Sequence, residues 1–139
     1  MADISITAAN VLPSAAAIIN RNFLAGATIT AGQPVYLDST TSTWKPIDSN
    51  AASTGNELAT TKGIALNSAA SGQIIDVCVK DTDFTPGGTL TNGATVYTSV
   101  TSGGITHDVP TTGAYPTVLG VAKSATKMNL NPISSGAII

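Results

Sequence analysis

The sequence predicts an all-β fold: a small barrel or sandwich built from two internal β repeats, with an N-terminal arm. The first sign is a phrase that occurs twice. Thr28-Ile29-Thr30-Ala31-Gly32-Gln33-Pro34-Val35-Tyr36 returns as Thr89-Leu90-Thr91-Asn92-Gly93-Ala94-Thr95-Val96-Tyr97, without a gap, at a shift of 61 residues (89 − 28). Farther on, Lys62-Gly63-Ile64-Ala65-Leu66 is echoed by Leu119-Gly120-Val121-Ala122-Lys123 at a shift of 57 (120 − 63). The second sign is a series of short β-prone runs separated by turn residues. The third is composition: Ser and Thr supply roughly a quarter of the chain, far above average usage. Two copies are too few for a solenoid, which needs about three or more repeats to bury a core. Two units facing each other across a pseudo-twofold fit a closed sandwich or barrel.

A length of 139 residues suits one domain. Residues 1–27 lie outside the repeats and form the arm. Residues 28–139 form a single β domain, with repeat one at 28–84 and repeat two at 89–132. In the arm, Ile4 and Ile6 alternate with polar neighbours, a short strand signal. Val11, Ala15, Ile18, Ile19 and Phe23 then recur at helical spacing between Pro13 and Gly26. Two readings stay open there, a short helix or an extended arm with apolar pegs, and the β-like flanking composition favours the second.

In repeat one, Pro34 to Leu37 reads as a strand, with Pro34 at its start or on an edge. Asp38 to Thr43 is a polar hairpin loop, Trp44 opens the return strand, and 48–60 is a longer surface loop. Gly63 to Leu66 reads as a buried strand. Ile75, Val77 and Val79 alternate with Asp76, Cys78 and Lys80, a half-buried strand with Cys78 on the face opposite the valines. In repeat two the strands are Thr95 to Ser99, Ile105 to Val109, Val118 to Ala122 and Met128 to Leu130. Gly103-Gly104 turns the hairpin, and Asn131-Pro132 ends the last strand. Gly32 and Gly93 each precede a Val-Tyr strand by three residues. A turn with positive φ demands glycine at such a place, with Ile29 and Leu90 plugging the corner.

Several functions are excluded by composition. Charged residues are only 10%, against about 25% in ordinary soluble domains, and the net charge is −2. No basic footprint for nucleic acid exists. The longest apolar run, Ala15 to Ile19, is far short of the roughly 18–20 residues that span a membrane. The start of the chain lacks the basic and apolar regions of a signal peptide. The single cysteine, Cys78, has no internal partner for a disulfide, which reads as synthesis in a reducing cytoplasm. A weakly charged surface with positive mean hydropathy argues against disorder and for surface covered by partners.

No catalytic set emerges. His107 is the only histidine, whereas a triad or a His-rich metal site needs more partners. Cys78 has no basic or histidine neighbour to activate it, so packing at a subunit contact is its expected role. Asp76, Asp81 and Asp83 form the one acidic cluster. They could offer oxygen ligands to a hard cation, although turn residues are the plainer reading. No cofactor is expected. Trp44, Tyr36 and Tyr97 could stack a sugar or base, but two of them occupy equivalent repeat positions, which favours a core or interface role.

Ile6-Thr7-Ala8-Ala9-Asn10-Val11, Ala25-Gly26-Ala27 leading into the Thr28–Tyr36 phrase, Gly63-Ile64-Ala65-Leu66-Asn67 and Leu119-Gly120-Val121-Ala122 together resemble the small head-decoration, or capsid cement, proteins of tailed bacteriophages. The resemblance runs from Asp3 to about Pro132. The Ala-Gly-x-x-Ile-x-x-Gly-x-x-Val-Tyr pattern also suits unrelated β-clip and small-barrel modules. What the resemblance implies is a non-enzymatic virion protein, made in a bacterial host's cytoplasm. It would sit on the outer surface of the capsid, bind the major capsid protein and form a homotrimer. It carries no catalytic residues over. The apolar load of the arm and tail makes Ile4, Ile6, Val11, Ile18, Ile19, Phe23, Ile138 and Ile139 the candidate contacts. Two other classes remain open: a fibre or adhesin-type module binding carbohydrate or protein, and a metal-assisted enzyme using the three aspartates.

Overall fold

A computed structural model of the chain describes residues 3–48, 61–109 and 115–134. Among these, regular structure is all β apart from one short 3-10 helix, Ala8–Asn10. The strands are β1 (Ile18–Asn20), β2 (Leu24–Ala25), β3 (Pro34–Asp38), β4 (Thr43–Pro46), β5 (Lys62–Ala65), β6 (Val77–Phe84), β7 (Thr95–Thr98), β8 (Ile105–Thr106), β9 (Thr117–Ala122) and β10 (Met128–Ser134). They follow the order β2-β4-β3-β5-β6-β10-β9-β7-β8, with β1 added to β6. That path has two ends, so the sheet does not close. The sandwich form of the expectation holds and the barrel form does not. No helix among the described residues is long and apolar enough to cross a membrane.

The repeat is visible bond by bond. Val35 lies opposite Gly63, and Val96 opposite Gly120. Leu37 lies opposite Trp44, and Thr98 opposite Ile105. Each corner turn closes alike: Gln33 N–H donates to Thr30 O at 3.1 Å, and Ala94 N–H to Thr91 O at 3.0 Å. Gly32 and Gly93 take φ of +94° and +83°, the left-handed region that a side chain disfavours. Each donates its N–H at 2.8 Å across to the third strand of its copy, to Ala65 O and Ala122 O. Ile29 and Leu90 plug the two corners, and Val35 and Val96 point inward with no exposed surface.

The copies differ in what covers them. Copy one joins β5 to β6 through residues 66–76, while copy two joins β9 to β10 through 123–127. The longer connection delivers Ala69 and Ile75, which with Ala25 of β2 bury Ile29, Val35, Trp44, Ala65 and Val77 in a core of their own. Copy two has no such cover. Its matching residues Leu90, Val96, Ile105, Ala122 and Met128 instead share a core with Ala31, Ile64 and Cys78 of copy one. Ile64 and Cys78 alternate with Ala65 and Val77 along β5 and β6, so they lie on the opposite sheet face. The two units therefore meet through unlike faces, which corrects the pseudo-twofold picture. The strand through Cys78 is half-buried as expected, with Lys80 and Thr82 exposed, but Cys78 itself is fully buried.

Of two further expectations, the end of the last strand changes and the extended reading of the arm holds. The last strand does not stop at Asn131-Pro132. It runs to Ser134 through a register shift between Leu130 and Ile133, the kind of irregularity where proline's missing N–H breaks no ladder bond. The arm, in turn, is extended and built into the sheet. β1 pairs antiparallel with β6, and β2 pairs parallel with β4. Leu12 and Thr85 exchange two backbone bonds at 2.9 and 3.0 Å. The 48–60 loop falls almost entirely outside the described residues.

Candidate interaction surface

The arm is tied down by one buried carboxylate. Asp81 lies midway along β6 with no exposed surface. Its oxygens accept from Ser14 Oγ–H, from Ser14 N–H at 2.7 Å and from Asp83 N–H at 3.0 Å. Burial alone would push its pKa up. The hydrogen bonds from Ser14 and Asp83 outweigh that and hold the carboxyl below the usual carboxylate range. The ionised form is thus the one that holds Ser14.

The candidate contact residues separate into two groups. Val11 is 5% exposed and belongs to the shared core, with Ile4 and Ile6 partly buried against it. Val11 is therefore a core residue of the chain itself. Ile19 and Phe23 are half-buried, Phe23 against the core of copy one. Ile18 alone of the arm set stands well exposed, at 57%. Ile138 and Ile139 lie outside the described residues.

The chemistry-bearing side chains have structural partners. Asp76 faces Arg21 at 3.6 Å, and Asp83 faces Lys123 and Lys127, each at 3.3 Å. Hydrogen bonds from those two ammonium groups lower the Asp83 pKa. With Asp81 held by Ser14, the three aspartates do not converge, and no group of three or more His, Cys, Asp or Glu forms among the described residues. Asp81 and Asp83 are strand residues, which corrects both the cation and the turn readings. Burial pushes the Cys78 thiol up to about 12, with the Asp81 charge adding to it. Cys78 is a protonated core residue and makes no subunit contact.

His107 joins two parts of copy two. Thr91 N–H donates to its Nε2 at 2.9 Å, and its Nδ1 lies 2.9 Å from Thr95 O. Both bonds form only when Nδ1 carries the proton and Nε2 is bare, so the neutral tautomer is the one that fits. Trp44 has no exposed surface, and its indole N–H has no acceptor among the described residues. It cannot line a sugar-binding groove. Ser5, Thr7, Asn10, Thr85 and Thr126 border an open polar cleft where the arm crosses the link between copies.

A surface absent from the sequence reading is the outer face of copy two. Tyr97 is opposite Val118, and Val118 opposite Ile133; Thr95 is opposite Val121, and Val121 opposite Asn129. These two cross-strand rows over β7, β9 and β10 contain no charged residue. Val121 is 45% exposed and Ile133 59%. On the far side of the molecule, bridge partners Leu24 and Ile74 are 45% and 74% exposed. The repeat alignment could have found the first surface, because it sets Val121 against Ile64. No protein-family model matches the chain, and no curated protein matches it either.

Proposed function

We propose that the chain is a decoration protein of a tailed-bacteriophage head, binding the major capsid protein on the outer surface of the shell as a homotrimer and stabilising it. The observation that carries the reading is the placement of the family-like phrases. Both copies of the corner phrase sit at equivalent turns with equivalent bonds, so the motif is architectural. The side chains that could do chemistry are committed to holding that architecture. Exposed apolar groups lie instead on strand faces and on the arm, where a partner could cover them. Stabilising a shell needs many copies and buried area, since a ligand that binds only the assembled state stabilises it by mass action. On this reading the protein is not an enzyme. The test is the thermal transition of undecorated heads with and without added protein. A rise that saturates with protein supports the reading, and an unchanged transition at excess protein contradicts it.

A further inference from the structure

We infer that the outer face of copy two, centred on Val121, is the docking surface for a second copy of this chain. The chain itself shows what occupies such a face. In copy one the matching positions, Pro34, Ile64 and Cys78, are all buried, Ile64 and Cys78 completely. What buries Ile64 and Cys78 includes the inner face of another repeat unit, that of copy two. In copy two the same positions are Thr95, Val121 and Asn129. Val121 and Asn129 are exposed and Thr95 is half-buried, with Tyr97, Val118 and Ile133 forming an apolar row beside them. Among the described residues the same sheet face is thus covered once by a repeat unit and left free once. A second molecule supplies the missing cover.

The contact is head-to-tail. Within the chain, repeat units meet through unlike faces, and both inner faces already lie in closed cores. On the copy-one end Ile18, Leu24 and Ile74 expose apolar surface, and of these Leu24 and Ile74 are bridge partners beside the lid of copy one's core. The outer face of one molecule's copy two therefore meets the Leu24–Ile74 patch of the next. A heterologous contact of this kind closes into a ring when its rotation permits. This deepens the self-association part of the reading above and does not depend on a shell.

The test is native mass measurement of the full chain, its Val121→Lys and Ile74→Lys variants, and a mixture of the two. Both substituted side chains are exposed, so circular dichroism should match the unsubstituted chain. The unsubstituted chain is expected to be a closed oligomer, and each variant a 13.9 kDa monomer. The equimolar mixture is expected to give a one-to-one dimer, because each variant keeps one intact face. A monomeric unsubstituted chain overturns the proposal, as does an oligomer that survives Val121→Lys. Dissociation by Val121→Lys alone, with Ile74→Lys still oligomeric, overturns the head-to-tail contact in favour of like faces. Removing residues 135–139 should leave the oligomer intact; its loss would assign the contact to the tail instead. Sedimentation with undecorated heads is read separately. An unsubstituted chain that is monomeric yet pellets with heads refutes the self-contact and leaves decoration standing; an oligomer that ignores them does the reverse.

Discussion

Trp44 is the largest side chain in copy one's core, and its indole N–H has no acceptor among the described residues. Trp44→Ala should cost about 3–5 kcal/mol in urea unfolding, the usual range for emptying an aromatic core site. Trp44→Phe should cost clearly less, because it removes the unpaired N–H along with part of the volume. Asp81 makes a different claim. Its pKa is lower in the fold than in the unfolded chain, so its contribution is fully present above the unfolded value near 4. That contribution falls away as pH drops through the folded value. Asp81→Asn should cost about 2 kcal/mol at neutral pH, since hydrogen bonds to a charged acceptor are lost. It should also flatten the fall in stability below about pH 4, as read by urea midpoints across pH.

The corner glycines offer a matched pair at the scale of the element. Gly93→Ala meets only the cost of a left-handed alanine, about 1 kcal/mol, because open space surrounds the added methyl. Gly32→Ala meets the same backbone cost and also drives its Cβ into Ile6 Cγ2 and close to Val11 Cγ2. It should therefore lose more stability than Gly93→Ala in parallel urea titrations. Equal losses would mean that the arm does not pack on that corner. Deleting residues 1–20 removes β1, the Leu12–Thr85 bridge and both Ser14 donors to Asp81, leaving that carboxylate with only the Asp83 N–H. The truncated chain should lose cooperative unfolding, read by circular dichroism, so the arm is no detachable tether.

The molecule as a whole was legible in the sequence where the cause is local. A turn at positive φ demands glycine, so Gly32 and Gly93 announce two equivalent corners, and alternation places Val35 and Val96 inward. What the sequence hides is set by stacking. Ile64 and Val121 hold the same place in the repeat, and only the short 123–127 link decides which is buried. Cys78 is closed off for the same reason, although its neighbours read as a half-exposed strand. The arm hides because its partners are distant: Ser14 and Asp81 stand 67 residues apart. The aspartates looked like a cluster because spacing in sequence says nothing of Arg21, Lys123 and Lys127, which take two of them apart. The fold accounts for a doubled β unit with unlike ends, and decoration of a shell is the proposal built on it.

The most direct test of that proposal is co-sedimentation of purified protein with undecorated heads at increasing protein concentration. The account predicts saturable binding at a fixed ratio of protein to shell subunits, in multiples of three at each site. Linear, unsaturating recovery, or none at all, would contradict it.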